Sequence, residues 1–486
     1  MIDGVRMDAN AWRVVVSGVV RMTRPTYEEL EERCRVQERR IAELEAQVRR
    51  LTLLIEKAQR DGKRQAAPFS KGPPKLHPKK PGRKAGHNYG THAHRQPPPP
   101  QQIDEVYAAP LPAACPCCSG KITFERVAHQ YQTEIPRRPI YRRFDVHIGR
   151  CDACGKRVQG RHPKQTSDAL GAAASQIGPD AQAAIALLNK RCGLSHGKVR
   201  RTLKDLFGIE VSRGGAAQAM LRCGRRLRPA RDGVIDTLRR AGAVTADETG
   251  WRVGGHAAWL HAFASEHHTV YEIDPRRGIS AAERILTLNY SGKLVRDGWA
   301  PYNKFVHATQ QLCLAHPLRR CVEMLQTATR GAVRFPRQIK QLIQDSLALR
   351  DRREAKSIGE RGFAIALEKL ETRLDRLLRW TRTSPENERL AKHLAEHRGH
   401  VFTFLQHPGL EATNWRAEQA IRPAVVNRKV WGGNRTWNGA DAQSILMTTL
   451  QTAAQQGRDS LDLISTVVRD RIAPPDLLAS PPAGTR

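Results

Sequence analysis

The strongest constraint on the fold is a heptad repeat near the N-terminus. Over residues 26–60, core-type positions recur in alternating steps of four and three, with Ile41 and Val48 at one seam position and Leu44 and Leu51 at the other. A β-branched residue at the first position and leucine at the second favour a parallel two-stranded coiled coil. We therefore expect a homo-oligomer that forms through these residues. The alternative is a single amphipathic helix that packs on its own domain.

A basic linker, residues 61–106, separates this helix from the rest of the chain. It contains "KGPPKLHPKKPGRKAGHNYG" and shows no apolar period. Such a composition favours disorder or polyproline II structure. The lysine and arginine side chains of the linker suit contact with a DNA backbone. The alternative is that the linker is a solvated spacer. At the other end, residues 1–25 are interpreted as an N-terminal extension, with Met22 as a candidate start.

The charge balance points to a polyanionic partner. The 486 residues include 81 Lys and Arg against 48 Asp and Glu, a formal net charge of +33. A charge of this size favours nucleic acid, and a merely soluble basic protein is the alternative. No apolar run approaches the ~20 residues of a membrane span. We expect a cytoplasmic protein without a signal peptide and without a membrane partner.

Four cysteines have the spacing of a zinc site. They form two C-x2-C pairs, Cys115 with Cys118 and Cys151 with Cys154. Four thiolates in two such pairs suit a tetrahedral, structural Zn²⁺ ion. We predict a zinc-binding ribbon over residues 107–160. Cys117 is an alternative ligand. The alternative to a zinc site is that the two cysteine pairs are unrelated to each other.

A helical domain is predicted over residues 165–235. It contains three apolar-periodic segments, of which the second begins after Ser195 and the third at Ser212. Serine is a favoured N-cap residue. Short helices, tight turns and a basic third helix are typical of a helix-turn-helix that binds DNA.

The segment that follows carries three separated acids. "GAVTADETGWRV" and "KLVRDG" predict strands that end near Asp247 and Asp297, and Glu418 lies on a predicted helix farther along. Carboxylate oxygens are the ligands that Mg²⁺ prefers, and two ions held by such a set promote phosphoryl transfer. Acids at strand ends are common, so this pattern alone is weak evidence.

Glu418 is surrounded by cations in "NWRAEQAIRPAVVNRK". Asn414, Glu418 and Arg422 are spaced by four and share one helix face. A surface salt bridge would explain the carboxylate. A metal ligand beside DNA would explain it too, with Arg422, Arg428 and Lys429 along the phosphates and Asn414 near a water or the DNA.

The wording of four motifs resembles one family. "DETGWRV", "DGWAPYN", "CLAHPLRR" and "NWRAEQAIRPAVVNRK", in this order, resemble the transposases of the insertion sequence 66 family, TnpC type. The resemblance covers residues 26–470. It implies a DDE triad of Asp247, Asp297 and Glu418 that uses Mg²⁺ (or Mn²⁺). It also implies small accessory proteins encoded with the element.

The resemblance further implies the fold class, a multidomain α+β protein with a ribonuclease H-like catalytic domain and a helical insertion. The expected order is a coiled coil, a zinc ribbon, a helix-turn-helix-like domain, the catalytic domain at 240–445 with its insertion at about 335–400, and a C-terminal helix and tail at 446–486. This chain has Leu314 and Pro317 where the family has Trp and Arg. The role of Cys313 and His316 therefore stays open. Structural support is favoured over zinc binding, since two ligands alone do not hold zinc.

The implied function is cleavage of DNA at the ends of a mobile element, followed by transfer of the freed 3′-OH to target DNA. A ribonuclease H-like nuclease or resolvase is one alternative. A catalytically silent DNA-binding regulator derived from a transposase is another. Strand-transfer products distinguish a transposase from a nuclease or resolvase.

Overall fold

The computed structural model describes residues 27–63, 97–133, 135, 138–171, 176–327, 330–471 and 473–479. The predicted extension and most of the predicted linker lie outside this part. The chain divides into two compact units, residues 1–95 and residues 96–486. Among the described residues, no helix is long and apolar enough to cross a membrane.

The described part of the first unit is one long helix, α1 (Tyr27–Lys63). It contains the predicted heptad. Four seam side chains are exposed in the single chain, namely Ile41, Leu44, Val48 and Leu51. The helix is confirmed, and its pairing with a second copy stays a prediction.

The second unit begins with a region that has little regular structure. Its strands are β1 (Ile148–Arg150) and β2 (Arg157–Gln159), which pair antiparallel. The turn between them carries Cys151 and Cys154. This is one hairpin of the kind that a ribbon needs.

Three helices follow in the positions that the sequence predicts. They are α2 (Pro179–Lys190), α3 (His196–Phe207) and α4 (Arg213–Arg239). Ser195 caps α3 by accepting from the Lys198 N–H, and Ser212 caps α4 by accepting from the Gly215 N–H. The caps satisfy backbone donors that a helix start leaves without partners.

A five-stranded mixed sheet forms the centre of the second unit. Its strands and one helix are β3 (Ala243–Val253), β4 (His256–Ala264), β5 (Thr269–Asp274), α5 (Ile279–Leu286), β6 (Lys293–Arg296) and β7 (Thr309–Leu312). The strand order is β5-β4-β3-β6-β7. β3, β4 and β5 pair antiparallel, whereas β6 and β7 run parallel to β3. Gly254 and Gly255 close the β3–β4 hairpin at φ values of +59° and +85°, which glycine adopts without strain.

Five α-helices directly follow β7 in the described part of the chain. They are α6 (Ala315–Thr327), α7 (Arg334–Glu354), α8 (Glu360–Leu378), α9 (Pro385–Glu396) and α10 (Thr403–Gln406). Their apolar side chains form a core of their own, which reaches the sheet through Val295 and Leu312. A helical insertion is therefore present where the sequence predicts one.

The last helices cover the sheet. They are α11 (Trp415–Trp431), α12 (Trp437–Gln455) and α13 (Ser460–Asp470). α11 packs on one sheet face, where Ala420 and Ala424 meet Trp251 and Leu260. On the other face, one continuous core joins α2–α4 to the sheet, α12 and α13. The predicted helix-turn-helix-like segment thus shares its core with the sheet.

Candidate functional site

The register of two parallel strands brings Asp247 and Asp297 to one place. Thr245 pairs with Val295, and this is the last pair between β3 and β6. Each aspartate lies two residues beyond that pair. Because side chains alternate along a strand, both continue on the same face of the sheet.

The sequence predicted that Asp247 ends its strand, and this prediction is wrong. β3 continues to Val253 because it pairs with β4, and Asp247 lies opposite Ala262 in that hairpin. What ends before Asp247 is the pairing with β6. Asp297 does follow the end of its strand, and it accepts a hydrogen bond from the Trp299 N–H at 2.9 Å.

Glu418 lies in the first turn of α11, on the sheet face that carries Asp247. Asn414 at the start of the helix fixes this position, because its Nδ2 donates to the Ala246 carbonyl at 3.2 Å. The Tyr271 hydroxyl donates to the Ala420 carbonyl at 2.6 Å from the sheet side. Both bonds tie the beginning of α11 to the strands beneath it.

The electrostatics show that the acids share one environment. The pKa of Asp247 is raised to about 8, first by burial and then by the charges of Glu248, Glu418 and Asp297. An opposite charge would lower this pKa, and like charges raise it. Glu418 and Asp297 are therefore both close enough to Asp247 for their charges to act on its carboxyl group. Such a set favours a bound cation or a bound proton.

Sequence reasoning missed a fourth acid, Glu248. Its side chain is 1 % exposed and accepts from Arg277 Nη2 at 2.7 Å and from the Tyr302 hydroxyl at 3.3 Å. The Arg277 guanidinium lies over the rings of Trp259 and Trp299, at 4.8 and 4.9 Å. Burial, followed by the charge of Asp297, raises the pKa of Glu248. The available signal was the pair of adjacent acids in a strand, which must face opposite sides of the sheet.

The insertion also touches the segment that holds Asp297. A β-carbon added at Gly298 would overlap the imidazole of His393 on α9. Nearby, the buried Arg296 donates from Nη1 to the Asp297 carbonyl at 2.8 Å and from Nη2 to Gln310 Oε1 at 2.7 Å. These contacts fix the backbone on both sides of Asp297.

A second group of donors meets Glu418 from the other side. Cys313, His316 and Glu418 place their ligand atoms within 4.8 Å of one another, the one such group of three among the described residues. His316 Nε2 lies 3.8 Å from Glu418 Oε1, and Arg319 Nη2 lies equally far from that oxygen. The carboxylates of Asp247, Asp297 and Glu418 do not form such a group in the described structure.

Cys313 is buried, and burial raises the pKa of its thiol to about 11. The Asn414 backbone N–H donates to its sulfur at 3.4 Å. A cation at this thiol would therefore displace a proton.

The predicted DNA contacts lie in different surroundings. Arg422 is exposed and donates to Gln419 at 3.3 Å, and Lys429 is exposed. Arg428 instead donates to Thr249 Oγ1 at 3.2 Å and to the Gly250 carbonyl. It links α11 to β3. Contact with DNA stays a prediction for all three cations and for the buried Asn414.

The two cysteine pairs adopt the same turn. The Cys115 N–H donates to the Gly120 carbonyl at 2.9 Å, and the Cys151 N–H donates to the Lys156 carbonyl at 2.9 Å. Backbone N–H groups that follow Cys115 and Cys151 lower the pKa of both thiols. Thiolates stabilised in this way suit Zn²⁺. In the described part of the chain the two turns do not bring three or more sulfurs within 4.8 Å of one another.

Two comparisons with known proteins bear on this arrangement. The chain is 25 % identical over 294 residues to the uncharacterized protein y4qI of Sinorhizobium fredii (strain NBRC 101917 / NGR234). That match covers 53 % of each chain, so the chain spans about half the length of this relative.

The second comparison covers the sheet, the insertion and all three acids. The model of the family described as "Transposase IS66 family" matches residues 174–442, which is more than half of the chain. The resemblance in the sequence motifs is thereby confirmed, and the chain belongs to the transposase IS66 family.

Proposed function

We propose that this protein is a DNA transposase that cleaves the ends of a mobile element and joins them to target DNA. The observation that carries the proposal is the convergence of Asp247, Asp297 and Glu418. The pKa of Asp247 is raised to about 8, first by burial and then by the charges of Glu248, Glu418 and Asp297. Family membership supports the same reading, because the matched residues include all three acids.

The sheet supports a ribonuclease H-like catalytic domain. Three antiparallel strands are followed by two strands parallel to the first, in the order β5-β4-β3-β6-β7. The first aspartate lies on the central β3 and the second follows the adjacent β6. The third acid lies on a helix that packs on β3 and β4. The helical insertion enters between the second and third acids.

The donor set fits Mg²⁺ or Mn²⁺. Asp247, Asp297 and Glu418 offer carboxylate oxygens, and their mutual repulsion is relieved by divalent cations. When bound, two such ions lower the barrier to displacement at phosphorus. The chain itself holds the carboxylates, with Asp297 fixed by the Trp299 N–H and Glu418 by the anchoring of α11.

Nearby cations would position the phosphate backbone. Arg319 lies 3.8 Å from Glu418 Oε1 and is half exposed, while Arg422 and Lys429 are exposed on α11. These side chains would offset the charge of DNA next to the acids. Zn²⁺ in the ribbon would be structural, and pairing of α1 between two copies would bring two DNA ends together.

The proposal is tested with purified full-length protein, candidate element ends and Mg²⁺. Nicked and joined strands are separated on a denaturing gel. The proposal predicts 3′-OH ends and strand-transfer products, both of which are lost in Asp247→Asn. Cleavage without joining would favour a nuclease or resolvase. Binding without cleavage in the wild-type protein would favour a silent regulator.

A further inference from the structure

We propose that Cys313, His316 and Glu418 form a second cation site, which binds Zn²⁺. Cys313 lies two residues before α6, His316 lies in the first turn of α6, and Glu418 lies in the first turn of α11. The sequence motif supplies only Cys313 and His316, and two ligands do not hold zinc. The structure adds the third ligand from a segment about one hundred residues away. Binding of zinc here does not depend on the proposed DNA chemistry.

The geometry is that of a site before the ion draws its ligands together. The three ligand atoms lie within 4.8 Å of one another, and the His316 Nε2 to Glu418 Oε1 distance is 3.8 Å. Zinc holds such atoms at about 2.0–2.3 Å from itself. Ligands around one tetrahedral ion are therefore about 3.3–3.8 Å apart, so rotations of side chains suffice to close the site.

The chemistry of the donors selects the ion. A thiolate, an imidazole and a carboxylate together suit zinc, which accepts sulfur, nitrogen and oxygen. Mg²⁺ prefers oxygen ligands and rarely accepts sulfur. Asp247 and Asp297, which offer oxygen alone, suit the harder ion. The two sets of ligands thus differ in preference although they share Glu418, a sharing that rests on the proposed function.

An unpaired polar atom at the same place supports a missing ligand. Asn414 is fully buried, and its backbone N–H contacts the Cys313 sulfur at 3.4 Å. Its Oδ1 is buried without a hydrogen-bond partner in the described part of the chain. Buried polar atoms in native proteins nearly all have partners, so unpaired ones next to metal-binding side chains indicate a bound ion or water.

A zinc ion held by these three residues would have one coordination position left for a further ligand. Three protein ligands leave the fourth position of a tetrahedral zinc ion open, unlike the four-cysteine ribbon, in which all positions are filled. The ion would tie Glu418 to the first helix after β7. Zinc would thereby fix the orientation of the acid that α11 contributes.

The experiment counts zinc in full-length protein after equilibrium dialysis against Zn²⁺. Wild type is compared with Cys313→Ser, His316→Ala and Cys321→Ser. Cys321 is the matched control, because it is also a buried cysteine and lies on α6. All four proteins retain the ribbon cysteines, so the ribbon contributes equally to each count.

We expect Cys313→Ser and His316→Ala each to bind one zinc ion fewer per chain than wild type and Cys321→Ser. Equal counts in all four proteins would overturn the proposal. An equal loss in Cys321→Ser would also overturn it, because the loss would then follow from disturbed packing of α6.

A second probe keeps the test independent of the total count. With Co²⁺ in place of zinc, the thiolate absorption assigned to this site should be lost in Cys313→Ser and retained in Cys321→Ser. Retention in both variants would contradict the proposal. Neither readout uses DNA, so failure of the proposed transposase activity would leave both results unchanged.

Discussion

At the scale of single residues, Asp247 has a strongly raised pKa, of about 8. It is half-buried on β3, where the charges of three other acids act on it. A carboxylate in such a position is stable only with a counter-ion or a proton. Burial and the charge of Asp297 raise the pKa of the adjacent Glu248 as well, and its ion pair with Arg277 offsets part of this shift. The two adjacent acids therefore differ in their partners: Glu248 has an ion pair with Arg277, and the role that we propose for Asp247 is that of a metal ligand.

The raised pKa of Asp247 predicts a pH dependence of stability in the absence of added Mg²⁺. The folded pKa is about 8, whereas an unfolded aspartate titrates near pH 3.9. Between these values the native state binds the extra proton, so the free energy of unfolding falls as pH rises. The slope from this group is at most about 1.4 kcal/mol per pH unit.

Urea unfolding of wild type and Asp247→Asn at pH 5 and pH 8 checks this expectation. Asparagine does not titrate, so the variant should gain stability relative to wild type toward pH 8. Added Mg²⁺ should reduce the difference, because the cation replaces the proton. A difference that is independent of pH would mean that Asp247 titrates normally.

At the scale of elements, the site depends on contacts between segments that are far apart in the sequence. α9 of the insertion packs against Gly298, next to Asp297, and α11 is anchored to β3 through Asn414. The insertion therefore contributes to the placement of the second acid. It does so without offering a ligand of its own there.

Substitution of Gly298 tests this contact. Gly298→Ala should lower stability by about 1–3 kcal/mol and reduce cleavage, because the added methyl overlaps the His393 imidazole. Gly399→Ala is the control, since a β-carbon there meets no atom within 4 Å. The double variant Gly298→Ala/His393→Ala should recover part of the loss. Equal losses in both single variants would show that the overlap has no special effect.

The zinc ribbon is testable at the same scale. Cys151→Ser should remove one zinc ion per chain and unfold residues 107–160 locally, because metal binding supplies folding free energy in small sites. Cys192→Ser is the control, since Cys192 is an exposed cysteine outside the pairs. Elemental analysis of the purified proteins gives the count. Wild-type protein that is reduced, folded and free of zinc would contradict the prediction.

Local patterns predicted the elements well, and long-range contacts less well. Ser195 and Ser212 are the N-caps expected from their positions, and apolar segments predicted β3 and β6 but not β7. The predicted position of Asp247 at the end of its strand was wrong, because the length of β3 depends on its pairing with β4. The burial of Glu248 and the contact of Glu418 with Cys313 and His316 depend on which faces other elements cover. Such information does not lie in a local sequence window.

At the scale of the whole molecule, the chain combines a strongly basic composition with a seam of exposed apolar residues on α1. Exposed seam residues on a long helix favour association with a second copy. Two copies would hold two catalytic sites, one for each DNA end. Association is therefore expected to precede joining.

A pair of substitutions tests the seam. Leu44→Lys/Leu51→Lys should abolish self-association, because it buries unpaired charge between the helices. Ala42→Lys/Ala46→Lys adds the same charge outside the seam and should leave association intact. Light scattering gives the molar mass of each variant. An unchanged mass in the first variant would show that the seam packs within one chain.

The central claim is that Glu418 completes a metal site with Asp247 and Asp297. Cleavage of element-end DNA by Glu418→Gln, in Mg²⁺ and in Mn²⁺, tests it most directly. Glu411→Gln is the matched control, since both glutamates have side chains that are 34 % exposed and lie near arginines.

We expect Glu418→Gln to lose cleavage by orders of magnitude in both metals but still to bind DNA, whereas Glu411→Gln should cleave normally. A surface salt bridge alone would be worth at most about 1 kcal/mol and would leave cleavage nearly unchanged. Near-normal cleavage by Glu418→Gln in either metal would show that Glu418 is not a ligand of the metal site. Loss of cleavage in Glu411→Gln instead would assign the third ligand to that residue.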